Sequence, residues 1–143
     1  MALSSLFPLG PRRSGMAAPD TLAQRRAAIA AATSPYPRAE GVAISQQSLA
    51  HVRCVVATPE SGFAGEMIYF HGGRYSLGGP DRMAGFLTHL ARRVGCRVIA
   101  PAYSLVPEAA YPAALHDAQD VIARFARERL DGAGLVADPQ IQA

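Results

Sequence analysis

The residues of this 143-residue chain that are best suited to catalysis form the segment His71-Gly72-Gly73. The segment directly follows the apolar run 67–70, so its two glycines stand where a strand is expected to end. Glycine lets the backbone approach a bound molecule closely and turn its N–H groups toward it. Such donors stabilise a developing oxyanion, and removal of one costs roughly 100- to 1,000-fold in rate. The segment therefore predicts an acyl-transfer site, with a plain tight turn as the alternative.

Hydrophobic patterning predicts the elements that must position this segment. The pattern indicates strands over residues 41–45, 50–57, 67–70 and 97–100, and helices over residues 21–32, 80–94 and 113–130. The first two strands are expected to pair antiparallel, and the run 67–70 is expected to be buried on both faces. The strand, helix, strand, helix order that follows predicts a parallel sheet covered by helices. The predicted fold class is therefore α/β.

Composition and charge argue against several other functions. The net charge is +3, but the 14 basic residues are all arginines scattered along the chain, so no nucleic-acid site is predicted. No apolar run reaches the roughly 20 residues that span a bilayer. The N-terminal residues have the wrong order for a secretory signal, so a cytoplasmic protein is expected. Cys54 and Cys96 lack metal-ligand spacing and are predicted to be buried free thiols, with no metal site.

Motifs on both sides of the glycine segment raise its specificity. The sequence around it reads Tyr-Phe-His-Gly-Gly over residues 69–73, and Leu77-Gly78 follows. Residues 103–108 then read Tyr-Ser-Leu-Val-Pro-Glu, and residues 111–118 read Tyr-Pro-Ala-Ala-Leu-His-Asp-Ala. From about Ala50 onward, this order and spacing resembles the hormone-sensitive-lipase-like family of α/β-hydrolases. That family has a His-Gly-Gly-Gly loop, a Tyr-Arg-Leu-Ala-Pro-Glu segment and a Phe/Tyr-Pro-Ala-Ala-Leu-x-Asp helix start.

The resemblance implies a fold and an activity. The expected fold is an incomplete α/β-hydrolase with three layers, in which helices flank a mostly parallel sheet of about four strands. Residues 1–40 are expected to be an N-terminal extension with a short helix. Residues 41–143 are expected to be the N-terminal part of the hydrolase domain, truncated before the nucleophile elbow. The family activity that the resemblance implies is hydrolysis of carboxylic esters without a cofactor.

The resemblance also assigns roles to residues of the glycine segment. The backbone N–H groups of Gly72 and Gly73 would form the oxyanion hole, and His71 would support the loop through side-chain hydrogen bonds. Tyr75 would lie near the acyl or alcohol pocket. Two carboxylates would fix the second loop and the following helix start rather than serve as a catalytic acid, namely Glu108 and Asp117.

Two positions depart from the family pattern. Arg74 stands where the family has its third glycine, and Ser104 stands where it has an arginine. A residue other than glycine at position 74 is expected to keep φ below zero or to carry strain, so the geometry of the donors could differ. An alternative role for Arg74 is to project over the site and bind an acidic group of the substrate.

The nucleophile elbow is absent from the sequence. No Gly-x-Ser-x-Gly occurs, and because the family order is serine, acid, histidine, the whole triad is expected to lie outside the chain. The remaining serines and histidines near the predicted loops and helices are interpreted as solvated or capping residues, namely Ser76, Ser104, His89 and His116. The chain alone is therefore expected to be inactive.

In the implied fold, strand 67–70 lies between strand 97–100 and a fifth strand, so here it becomes a sheet edge. An unpaired apolar strand predicts marginal stability, and self-association or binding of a partner chain. The other expected partner is a small ester substrate or an acyl ligand. Three interpretations stay open: a shortened gene product or fragment, one half of a split hydrolase, and a non-catalytic module that binds a small acyl or aromatic ligand.

Overall fold

The computed structural model of the protein describes residues 21–33 and 36–132. All the strands and helices predicted there are present, with bounds shifted by a few residues. The helices are α1 (Leu22–Thr33), α2 (Ala84–Val94), which follows a 3-10 turn at Pro80–Met83, and α3 (Ala113–Gly132). The strands are β1 (Val42–Leu49), β2 (Val52–Pro59), β3 (Gly65–Ile68) and β4 (Cys96–Pro101). The interpretations of residues 1–20 and of the last residues of the chain lie outside the described residues.

The four strands form one sheet in the order β1-β2-β4-β3. The predicted antiparallel pairing of β1 with β2 is confirmed, since Leu49 faces Val52 across a two-residue turn. The prediction of a mostly parallel sheet is wrong for the described residues, because β2 also runs antiparallel to β4 and only β3 and β4 run parallel. The strand-helix-strand rule that supports parallel pairing applies only to the unit β3-α2-β4. The sheet is therefore mixed.

Helices cover both faces of the sheet, as the predicted three layers require. One face packs against α3, with a buried core of Leu49, Val52, Cys54, Val56, Ile99 and Val121. The other face packs against α2, with a buried core of Val55, Ala57, Leu87, Ala91, Val98 and Ala100. Strand β2 contributes to both cores, and its inner residues are almost fully buried. Strands β2 and β4 therefore lie between two apolar layers.

Strand β3 is the edge next to β4, and its burial differs from the prediction. Its four residues are half-buried rather than fully buried, and Phe70 is exposed. The reason is that β4 is its only neighbour within residues 21–33 and 36–132. The N–H of Tyr69 still donates to the carbonyl oxygen of Ile99 at 2.8 Å. The backbone therefore follows β4 as far as the glycine segment.

The two cysteines differ in burial. Cys54 is fully buried in the core under α3, and this burial raises the pKa of its thiol. Cys96 is half-buried, so the prediction that it is buried is wrong. Cys96 begins β4 opposite Gly65 of the edge strand, where the sheet gives less cover. Both cysteines are free thiols.

Helix α2 ends at Gly95 as the sequence indicates, but the first turn of the predicted helix, Pro80–Met83, is a 3-10 turn. The helix also anchors the segment that precedes β1. Gly95 ends the helix in the left-handed conformation, with φ of 64°. The buried hydroxyl of Thr88 accepts a hydrogen bond from the N–H of Ala39 at 2.9 Å. The imidazole of His89 contacts the carbonyl oxygen of Pro37 at 3.2 Å. His89 thus makes a structural contact.

Among the helices of residues 21–33 and 36–132, none combines the length and the apolar character that a membrane span requires.

Candidate active site

The loops that follow β3 and β4 form a cleft at the carboxyl ends of these two parallel strands. Ligands of α/β proteins bind at this end of the strands. The cleft has a volume of about 740 Å³. Its lining is largely aromatic and aliphatic and includes Phe70, Tyr75, Tyr103, Val106, Tyr111 and Leu115, together with all of residues 71–74. The predicted site residues are therefore brought together around one cavity.

His71 lies buried beneath the cleft and contacts its own loop. Its Nδ1 lies 2.9 Å from the carbonyl oxygen of Gly72, and a carbonyl only accepts, so the contact assigns the hydrogen to Nδ1. The hydroxyl of Tyr103 donates to the carbonyl oxygen of His71 at 2.5 Å, and the two rings stack at 4.3 Å between centroids. The other nitrogen, Nε2, is buried without a hydrogen-bond partner in the described part of the chain. These contacts fix the backbone just before the two glycines.

The two glycines differ in what their backbone requires. Gly73 has φ of 135°, and a Cβ there would overlap the carbonyl oxygen of Leu77 and lie 2.7 Å from its carbonyl carbon. A Cβ at Gly72 would meet nothing within 4 Å. The carbonyl of Gly73 accepts the N–H of Ser76 at 3.1 Å and of Leu77 at 3.0 Å. Neither glycine N–H donates to an acceptor among residues 21–33 and 36–132.

Arg74 and Tyr75 take the left-handed conformation, with φ of 54° and 58°. Of the two outcomes expected at position 74, strain is the one that occurs, because the turn keeps a glycine-like conformation. Each such residue costs roughly 1 kcal/mol or more relative to glycine. Both side chains are exposed and line the cleft. The turn is closed by the bonds to the carbonyl of Gly73 and by the N–H of Val106, which donates to the carbonyl of Tyr75 at 2.7 Å.

Arg26 of α1 contacts both loops that form the cleft, and the sequence did not indicate this contact. Its Nε donates to the carbonyl oxygen of Ser76 at 2.9 Å, and its Nη2 donates to that of Val106 at 3.0 Å. The guanidinium also binds both carboxylate oxygens of Glu108, at 2.5 and 2.9 Å. This hydrogen-bonded pairing lowers the pKa of Glu108 to about 2. No local spacing signals the contact, because at least 50 residues separate Arg26 from each partner.

Asp117 of α3 fixes the start of the loop after β4. Its carboxylate accepts the N–H of Ser104 at 2.6 Å and contacts Nε2 of His51 at 2.8 Å. Burial raises the pKa of Asp117, but the hydrogen bonds from Ser104 and His51 outweigh it, so the pKa is lowered overall. In a catalytic triad the imidazole stands between the serine and the carboxylate. Here Asp117 stands in the middle, so this trio cannot take a proton from Ser104 in the triad manner.

Comparison with known proteins identifies the family. A family model described as the alpha/beta hydrolase fold matches residues 67–140, which is half of the chain. The putative acetyl-hydrolase LipR of Mycobacterium tuberculosis is 32% identical over 111 residues, which cover 77% of this chain and 36% of LipR. The acetyl esterase of Salmonella agona is 36% identical over 70 residues, which cover 49% of this chain and 22% of the esterase.

Solved structures give the same result. The hormone-sensitive-lipase homologue EstE7, from a metagenome library, matches with 32% identity and a TM-score of 0.68 over 78% of this chain and 37% of its own. A hormone-sensitive lipase from a metagenome library matches with 33% identity and a TM-score of 0.68 over 85% of this chain and 39% of its own. The chain belongs to the hormone-sensitive-lipase-like family of the α/β-hydrolase fold, which confirms the resemblance. It spans less than two fifths of the length of each of these relatives.

Proposed function

We propose that this chain supplies the oxyanion hole and part of the acyl pocket of a carboxylic-ester hydrolase. The observation that carries the proposal is the pair of N–H groups at Gly72 and Gly73, which lie at the end of β3 beside an apolar cleft and donate to no acceptor in the part of the chain that the structure describes. Preorganised donors of this kind stabilise the charge that develops when an ester carbonyl is attacked. His71 serves as loop support, while Arg74 and Tyr75 contact the substrate.

The names of the relatives favour a small acyl ester as the substrate. LipR is described as a putative acetyl-hydrolase and the Salmonella proteins as acetyl esterases. A cleft of about 740 Å³ accommodates a small ester, and its apolar lining suits an acyl chain. The chemistry needs no metal, because the glycine amides carry the charge stabilisation.

The chain itself is proposed to be inactive. Its 143 residues contain no Gly-x-Ser-x-Gly segment, and Ser76 and Ser104 make structural contacts in the two loops. An oxyanion hole and binding pocket alone give roughly 1,000- to 10,000-fold catalysis over water, far below an intact triad. We therefore propose that the nucleophile, acid and histidine belong to a polypeptide segment that is not among these 143 residues.

The activity proposal is tested with p-nitrophenyl butyrate and with butyrate. For p-nitrophenyl butyrate we expect at most the roughly 1,000- to 10,000-fold enhancement over the spontaneous rate that an oxyanion hole and pocket give without a triad. In nuclear magnetic resonance spectra we expect butyrate to shift the backbone amide signals of Gly72 and Gly73 in a saturable manner, because a carboxylate mimics the oxyanion. Chloride at equal ionic strength is the control. Turnover that disappears in Ser76→Ala or Ser104→Ala would contradict the absence of a nucleophile. Amide signals that do not respond to butyrate would contradict the oxyanion role.

A second candidate function is non-catalytic binding of a small acyl or aromatic ligand, which the aromatic lining of the cleft favours. Tyr75 and Tyr111 both line this cleft and are 64% and 85% exposed, so their rings are accessible to a neutral aromatic ligand that makes no use of the amides. Benzyl alcohol in the same titration separates the two functions. A pure binding module is expected to show shifts at the tyrosine rings and none at Gly72 and Gly73 with either ligand.

The edge of β3 that has no neighbouring strand in the described part of the chain is proposed to bind a partner chain or a second copy of this chain. The N–H of Tyr69 points toward β4, and N–H groups alternate in direction along a strand, so the N–H of Ile68 faces the free edge. Unpaired edges of this kind pair with other strands. We expect light scattering after size-exclusion chromatography to show association that grows with protein concentration. A monomer at every concentration, with a cooperative thermal transition and no binding of an apolar dye, would contradict this.

A further inference from the structure

We propose that Arg26 is a positioning residue of the oxyanion loop. Its guanidinium joins the loop after β3 to the loop after β4 and holds the turn 73–77 in the conformation that presents the amides of Gly72 and Gly73. The consequence for anion binding rests on the proposed function. The effect on loop structure does not.

The first observation is how many donors Arg26 commits. Four hydrogen bonds reach three different residues: Nε to Ser76, Nη1 to Glu108, and Nη2 to both Val106 and Glu108. Two of the acceptors are backbone carbonyls, one in each loop. Arg26 is therefore a bridge between the loops rather than one half of a surface ion pair.

The second observation is that both backbone acceptors connect directly to the turn. Ser76, whose carbonyl binds Arg26, donates its own N–H to the carbonyl of Gly73. Val106, whose carbonyl also binds Arg26, donates its N–H to the carbonyl of Tyr75. Each of the two residues whose carbonyl binds the guanidinium therefore also donates one of the hydrogen bonds that shape the turn.

The third observation is the strain in that turn. Arg74 and Tyr75 both have positive φ without being glycine, and such conformations persist only where surrounding contacts hold them. The family pattern has a glycine at the position of Arg74, where the conformation carries little cost. In this chain the turn needs more external support, and Arg26 supplies it from α1.

The planar fork of an arginine is what makes the bridge feasible. Its donors point in fixed directions, so one group meets a bidentate carboxylate and two carbonyls together. Lysine carries the same charge as a compact ammonium that lacks this fork. An Arg26→Lys variant therefore keeps the attraction to Glu108 but cannot span the carbonyls of Ser76 and Val106 at once.

Amide hydrogen exchange on the full chain tests the inference. In Arg26→Ala we expect the amides of Ser76, Leu77 and Val106 to exchange faster by about tenfold or more, while the β4 amides stay protected. Arg26→Lys is expected to show most of the same loss. Arg124→Ala is the matched control, because it removes an exposed pair with Glu128 on α3 and leaves both loops intact.

A second measurement reads the presentation of the amides. The butyrate-induced shifts of the Gly72 and Gly73 amides are expected to need about tenfold more butyrate in Arg26→Ala and Arg26→Lys, and to be unchanged in Arg124→Ala. Unchanged exchange at Ser76, Leu77 and Val106 in both Arg26 variants would overturn the inference. If Arg26→Ala unfolds globally, β4 loses protection too, and Arg26→Lys then decides. If butyrate has no effect on the wild-type chain, the proposed function fails while the exchange result still stands.

Discussion

Replacing Glu66 with alanine is expected to lower the free energy of unfolding by about 3 kcal/mol. The Glu66 side chain is only 9% exposed, and it forms ion pairs with Arg97 at 2.9 Å and with Arg129. Arg97 lies mostly buried on the same face of the sheet, so loss of the carboxylate leaves a guanidinium there without its counter-charge. An uncompensated charge of this kind costs more than the pair contributes. Urea denaturation followed by circular dichroism measures the change.

The exposed pair of Arg124 and Glu128 provides the control for this prediction. Its side chains are 54% and 45% exposed, and its geometry resembles that of the Glu66 pair, with 2.8 Å between Nε and Oε1. Because exposed pairs contribute little, Glu128→Ala is expected to change stability by no more than about 0.5 kcal/mol. Equal losses for the two variants would mean that burial does not govern the Glu66 network.

The importance of Glu66 could not be predicted from the sequence, and the reason is physical. Glu66 faces Arg97 only because β3 and β4 pair in parallel with this register, and a second donor from Arg97 reaches Gln47 of β1 at 2.6 Å. Register between strands is a tertiary property. The local pattern showed only a polar residue before an apolar run, so the predicted strand began at Met67.

The elements themselves could be predicted because their signals are local. Apolar residues at helical spacing followed by Gly95 gave α2 and its end, and an alternating stretch gave β2. The direction of β2 relative to β4 had no such signal. Neither did the contact of Arg26, which depends on α1 folding back over both loops. Sequence therefore indicated which segments form the cleft, but not the long-range contacts that hold its loops.

The conformation of the glycine segment could likewise be predicted only in part from the sequence. The chemistry of two consecutive glycines pointed to position 73. The positive φ of Arg74 and Tyr75, by contrast, accompanies hydrogen bonds within the turn and one from Val106 of the loop after β4. Intrinsic preference disfavours that conformation, and the surrounding hydrogen bonds override it. Arg74 thus takes a left-handed conformation at the position where the family pattern has a glycine.

The second large effect is expected from Gly73→Ala. An alanine there must take φ of 135° or move the turn, and its Cβ would overlap the carbonyl of Leu77. Because the obstacle is backbone rather than the end of a flexible side chain, relief requires breaking the bonds from Ser76 and Leu77 to the carbonyl of Gly73. We expect a loss of about 3 kcal/mol in the free energy of unfolding, measured by urea denaturation.

Gly72→Ala is the matched control for Gly73→Ala, since it adds the same methyl group one residue earlier, where nothing lies within 4 Å. Its expected effect on stability is within about 0.5 kcal/mol. The two variants separate two reasons for a glycine. At position 73 the fold requires it, whereas at position 72 the neighbouring space is open, so only a molecule bound in the cleft would require it. A stable Gly72→Ala chain that no longer responds to butyrate would locate the ligand directly above that residue. Equal destabilisation by both substitutions would show that the turn does not have the described geometry.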